Sequence, residues 1–177
     1  MSTSEPASAE IPEVAGPVPR PRKPKLPLPS GAVDCHAHVF GPYDRFPLTL
    51  PRSYSPPEAS LDQYLALLGT MGLDRGVLVQ PSVHGTDNRS MIDALRRAPD
   101  RLRGIAVVDP DISEAELDEL HKAGVRGLRV NVLFAGGTGL SVILCTAAIM
   151  DPEEDHDGTT QSPCYSRRSS RPAAGWR

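Results

Sequence analysis

The chain has 177 residues, 39% of them hydrophobic and 23% charged, which fits one globular domain and excludes a low-complexity or highly charged disordered polymer. A formal net charge of −3 and a sequence pI near 5.9 leave no clustered basic excess, so no nucleic-acid partner is expected and the ligand should be small. Cys35, Cys145 and Cys164 are odd in number and far apart, which suggests neither a disulfide framework nor a zinc knuckle and fits a reducing, cytoplasmic setting; with no apolar run of the ~18 residues that cross a bilayer, no membrane partner is expected either.

Residues 1–30 carry 8 of the 19 prolines, and Pro17 to Pro29 alternates proline with Arg20, Arg22, Lys23 and Lys25. That composition favours polyproline II over a packed core, so a disordered, solvated leader is expected. From residue 31 the pattern changes to short β-branched runs alternating with capped amphipathic stretches.

The first strand is expected at residues 32–39. Ser60 with Gln63 forms a capping box ahead of Leu61, Tyr64, Leu65, Leu68 and Met71, and Gly72 stops that helix. Gly76 to Gln80, ended by Pro81, reads as a buried second strand opening into the loop Ser82 to Asn88, with a short helix at 90–98 behind it. Leu102 to Val108 is the third strand. Ser113 with Glu116 caps a third helix that stops at Gly124, and Val125 to Leu133 is the fourth strand.

Strict β-α order describes an α/β fold, the N-terminal half of a (β/α)8 TIM barrel with about four βα units. A closed barrel takes ~250 residues, and the stretch after Gly137 cannot supply four more units. Residues 138–177, with their acidic patch, Arg-Arg-Ser-Ser-Arg-Pro string and Trp176, lack either periodicity. They read as an irregular tail foreign to the fold, as a shifted frame, a mispredicted gene or a premature stop produces. The expected division is therefore a leader at 1–30, a partial barrel at 31–137 and a tail at 138–177. Strands one and four of such a half barrel are open edges through which the chain is expected to self-associate.

The strongest chemical signal is Asp34-Cys35-His36-Ala37-His38 at the end of the first strand. Residues two apart in a strand point the same way, so His36 and His38 should share one face while Cys35 and Ala37 face the helices. Two imidazoles at the C-terminal mouth of a barrel suit metal ligation or anion binding. Asp34 is expected to accept a hydrogen bond from a neighbouring ring or backbone group. Arg129, near the end of strand four, can grip a carboxylate with parallel hydrogen bonds, although a rim arginine can equally pair with an acidic residue. Ser82 and His84 follow strand two in the same mouth, where Ser82 can also cap the turn; Tyr54 lies in a Pro-rich loop that its ring can pack.

The runs Val33 to Pro42, Arg52 to Pro57, Val79 to Asn88 and Gly124 to Asn131 resemble the amidohydrolase superfamily, and more narrowly the 2-pyrone-4,6-dicarboxylate lactonase group, over about residues 31–137. The resemblance implies that His36 and His38 are the strand-one histidines, which bind a divalent metal such as zinc in many members and touch substrate directly in metal-free lactonases. It implies that Tyr54, Ser82 and Arg129 bind the substrate's carboxylate or lactone oxygens, and His84, which follows strand two in the same mouth, is a further substrate-binding candidate. The implied activity is C–O hydrolysis of a small lactone or related carboxylate, with a decarboxylase, an isomerase or an inactive fragment as the alternatives. Where the lactonases carry a further basic pair, this chain reads Leu133-Phe134-Ala135-Gly136-Gly137, which favours a less charged lactone than the dicarboxylate. The family's later histidines and strand-eight aspartate have no counterpart, with only His156 and Asp157 late in the chain, so the 177 residues alone are expected to be inactive.

Overall fold

Reciprocal caps set the helical frame. Ser60 Oγ accepts the Gln63 N–H at 3.2 Å while Gln63 Oε1 takes the Ser60 N–H at 2.8 Å; Ser113 and Glu116 repeat the exchange at 3.3 and 2.9 Å. Each exchange satisfies N–H groups that the first turn of a helix leaves without partners.

The computed structural model describes residues 10–130. In chain order it holds β1 (Val33–Ala37), α1 (Leu61–Met71), β2 (Arg75–Val79), a 3-10 turn at Ser82–His84, α2 (Arg89–Arg97), β3 (Leu102–Ala106), α3 (Glu114–Lys122) and β4 (Val125–Leu128). The strands form one parallel sheet in the order β1-β2-β3-β4, the sequential order of a (β/α) barrel wall. α1 runs between its expected limits and ends at Gly72 with φ 77°. The strands are shorter than expected at their C-terminal ends, where pairing gives way to loops. The expected continuation of strand four beyond residue 130, the Leu133 to Gly137 run, Cys145, His156, Asp157, Cys164 and the tail lie outside the described residues. Among those described, no helix is long and apolar enough to cross a membrane.

The helices cover one sheet face. Tyr64 and Leu68 of α1 and Met91 and Leu95 of α2 meet Leu78, Leu102 and Ala106 of the strands in a single buried cluster. Two strand glycines make that contact close enough. A Cβ on Gly104 would come within 2.7 Å of Leu95 Cδ1, and one on Gly76 would overlap the Tyr64 hydroxyl. That hydroxyl donates to Asp34 Oδ2 at 3.0 Å, tying α1 to β1. Asp34 Oδ1 also accepts the His36 backbone N–H at 3.1 Å, the kind of local acceptance expected of it.

β1 is bulged. Asp34 pairs with Gly76 and Ala37 with Leu78, so Cys35 and His36 together oppose Val77. The bulge corrects one expectation: Cys35 does not face the helices but is exposed. It also lets Asp34 turn to the helix layer while His36 and His38 stay together on the other side.

Residues 12–14 of the Pro-rich leader lie along the β1–α1 loop. Ser55 N–H donates to Pro12 O at 2.8 Å and Val14 N–H to Ser55 O at 3.2 Å, a parallel bridge centred on Glu13 and Ser55.

The Gly76 contact makes a stability prediction. Gly76→Ala is expected to cost about 1–3 kcal/mol by overpacking. Tyr64→Phe, which removes the atom that the new methyl meets, should make the second substitution less costly than the sum of the two. Urea denaturation of the four-member cycle measures this; strictly additive costs count against the contact.

Candidate active site

The site is built on the end of β2. In a parallel sheet, successive residues of a strand direct their polar groups to opposite neighbours, and where pairing stops the last carbonyls need other donors. Val79 O receives His38 Nδ1 at 2.7 Å, and Gln80 O receives Arg129 Nη1 at 3.0 Å. Arg129 is itself placed by its backbone N–H, which donates to Ala106 O at 2.6 Å. The ends of β1, β2 and β4 thus meet in one cluster. The His36 and His38 rings lie 5.0 Å apart, edge to face at 82°.

A carbonyl oxygen only accepts, so the neutral His38 ring carries its proton on Nδ1 and leaves the Nε2 lone pair available. Burial pushes the His38 pKa below 6.5, the Val79 carbonyl partly opposes this, and the charges of His36 and Arg129 add to the lowering. The ring is therefore neutral near pH 7. Arg129 spends one of its five N–H donors on Gln80, and among the described residues no carboxylate is within ion-pair distance of it.

The other expected residues divide. Tyr54 is half-buried and lines a cavity of about 400 Å³ together with His38 and Phe40. Ser82 is buried at the start of the 3-10 turn. His84 is only 1% exposed. Its Nδ1 donates to Pro47 O at 3.2 Å, its Nε2 is buried with no partner among the described residues, and burial lowers its pKa. The Phe40 ring lies 5.9 Å from His38 and 6.3 Å from His84, linking the two through an apolar contact. A larger groove of about 590 Å³ runs between α2 and α3 past Asp87, Asp109 and Glu116, but it contains none of the rim residues.

Sequence reasoning assigned no role to Gln80 and Asn88, yet both hold the loop in place. The Gln80 amide donates to Gly85 O and Asp87 O at 3.2 and 2.8 Å. Asn88 donates to Val107 O at 2.7 Å and accepts the Val107 N–H at 3.1 Å. For Gln80 the one signal is its place as a polar residue just past a buried apolar strand; Asn88, nine residues beyond that strand, carries none.

A zinc site takes three protein ligands. His36 and His38 offer two, and among the described residues no group of three His, Cys, Asp or Glu side chains comes together. These residues by themselves do not make a metal site.

Two outcomes follow. In ¹⁵N NMR at pH 7.5, His38 should show the Nδ1–H tautomer; a dominant Nε2–H signal would contradict the Val79 bond. Both His38 and His84 have folded-state pKa values below the ordinary 6.5, so below that pH the unfolded chain binds more protons than the native one. Stability present above pH 6.5 is thus lost as pH falls toward the folded-state values. The urea midpoint should drop between pH 7.5 and 5.5, and less steeply in His84→Gln; equal slopes in both proteins would rule out the His84 contribution.

The chain matches the amidohydrolase family model over residues 33–142. It is 50% identical over 111 residues to a 2-pyrone-4,6-dicarboxylate hydrolase of Comamonas testosteroni, covering 63% of this chain and 36% of that protein. A 4-sulfomuconolactone hydrolase of Rhizobium radiobacter is 45% identical over 121 residues, covering 68% of this chain and 40% of the relative. The crystal structure of a probable 2-pyrone-4,6-dicarboxylic acid hydrolase from Acinetobacter baumannii, with citric acid bound, superposes with a TM-score of 0.54 at 38% identity, covering 57% of this chain and 38% of that one. The chain thus spans about two fifths of the length of these relatives. A match over most of the chain, joined to a parallel sheet in sequential order, places it in a family: the chain belongs to the amidohydrolases.

Proposed function

We propose that the rim formed by His36, His38 and Arg129 is the substrate-recognition part of a lactone hydrolase, with a small carboxylated lactone as substrate. The observation that carries this reading is the fastening of His38 and Arg129 to adjacent carbonyls of β2, beside His36. The relatives support it through their names, two of them lactone hydrolases and the third a hydrolase crystallised with a small carboxylate.

In this reading the remaining N–H groups of Arg129 hold the substrate carboxylate in a forked pair of charge-assisted hydrogen bonds. That leaves the lactone carbonyl near the histidine pair. Water adds to the carbonyl carbon, the ring C–O bond breaks, and a proton ends on the leaving oxygen to give a hydroxy acid. A neutral His38 with its proton on Nδ1 offers a lone pair at Nε2, which suits accepting a hydrogen bond from the attacking water and does not suit donating one to the carbonyl. Tyr54 lies on the cavity side of His38, where its hydroxyl can orient the ring oxygen.

Binding is the readout that tests the rim itself. With the full chain and citrate as probe, Arg129→Ala and Arg129→Lys should each weaken binding, the alanine by about tenfold or more, because a charge-assisted pair contributes roughly 1.5–3 kcal/mol. Calorimetric titration measures it. Citrate affinity indifferent to Arg129 and to His38→Ala would sink the reading.

A further inference from the structure

Tyr54 belongs to the long loop between β1 and α1, and that loop is fastened in two ways. Past Pro56 it is tied to its own start: Tyr43 Oη donates to Pro56 O at 2.7 Å, the Tyr43 N–H donates to Glu58 Oε1 at 2.7 Å, and Phe40 and Ala59 exchange backbone bonds of 2.9 and 3.0 Å. Ser55, next to Tyr54, is held from outside the loop. Its N–H donates to Pro12 O at 2.8 Å and its carbonyl accepts the Val14 N–H at 3.2 Å, so the leader takes both of its backbone groups. A residue bonded in this way to the two neighbours of the residue opposite it, here Glu13, is in parallel strand register, and its φ and ψ are set by the partner.

From this bridge the leader goes on to the cavity beside His38. Val14, Ala15, Gly16 and Pro17 line it together with Tyr54, Phe40 and His38. At Gly16 the approach is tight: a Cβ there would lie 3.0 Å from Pro57 Cγ, closer than side chains ordinarily pack. Pro56, between the bonded Ser55 and the contacted Pro57, is buried. The leader thus grips the loop on both sides of a buried proline, immediately after Tyr54.

We infer that residues 12–17 are a strap that positions Tyr54: by fixing the backbone of Ser55 and packing on Pro57, the leader sets the tyrosine on the cavity that it shares with His38. This rests on the reading of Tyr54 as a substrate-facing residue, and adds a part of the site supplied from outside the barrel. The strap is bonded through backbone groups, so a proline substitution reads it. Val14→Pro deletes the leader N–H that reaches Ser55, and Glu13 before it already lies in the strand-like pairing that a following proline favours. Val14→Ala shortens the side chain and keeps the bond.

Two measurements on the full chain test this, both made well below the thermal midpoint of every variant so that they report the site and not unfolding. Amide hydrogen exchange at Ser55 reads the strap without ligand: it should speed up about fivefold in Val14→Pro, where one of the two bonds across the bridge is gone. Citrate affinity reads the site. Val14→Pro and Tyr54→Phe should each weaken citrate about fivefold, and Tyr54→Phe by less than about twofold once Val14→Pro is present, because a ring that is no longer held has little left to lose. Val14→Ala should bind citrate at least about threefold more tightly than Val14→Pro, since it restores the N–H. Ser55 exchange that Val14→Pro leaves unmoved, costs of Val14→Pro and Tyr54→Phe that simply multiply, or a Val14→Ala as weak as Val14→Pro would each overturn the strap. Arg129→Ala separates the two readings: citrate indifferent to it sinks the rim assignment, while Ser55 exchange and the coupling to Tyr54 still decide the strap.

Discussion

Two consecutive carbonyls at the end of β2 organise this protein. Val79 O and Gln80 O point to opposite neighbours at the place where the strand runs out of partners, and a buried carbonyl left alone is costly. The donors that reach them are the His38 ring and the Arg129 guanidinium. The backbone requirement of the sheet and the positional requirement of a binding site are therefore met by the same two bonds. One bond also fixes which nitrogen of His38 bears the proton, so that the free lone pair lies on the nitrogen remote from the strand. The other leaves most of the arginine fork without a partner among the described residues.

Behind the sheet, β1 is governed by a different constraint. Strict alternation would put Asp34, His36 and His38 on one face, and Asp34 could then not reach α1. The bulge at Cys35 and His36 breaks the alternation: Asp34 takes the Tyr64 hydroxyl on the helix side, and the two imidazoles stay side by side on the other. Gly76 completes the arrangement, since only a residue without Cβ lets the Tyr64 ring lie flat enough to reach Asp34. The site geometry on one face thus depends on a hydrogen bond and a glycine on the other.

These features differ in how far they can be read from the chain. α1 and the start of α3 were legible because a capping box is local: Ser60 with Gln63, and Ser113 with Glu116, need no tertiary partner to declare a helix start. The pairing of His36 with His38 was legible from spacing, but the side taken by Cys35 was not, because a bulge is set by the neighbouring strand. Strand ends were overextended for the same reason, as pairing stops where the partner turns away. Gln80 and Asn88 act through carbonyls five to nineteen residues distant, which no local pattern encodes. His84 read as a mouth residue from its place after β2, and nothing in the sequence foretold a ring so deeply buried under Pro47.

The leader shows how composition can hide a contact. Proline-rich segments read as solvated because proline lacks a donor, yet each proline keeps its carbonyl and its extended backbone. Pro12 uses that carbonyl to accept from Ser55, and Val14, free of proline's restriction, returns a bond to the same residue. Two bonds are enough to set four leader residues beside Pro56, Pro57 and His38. A segment outside the barrel thus shapes the surroundings of His38 together with the β1–α1 loop.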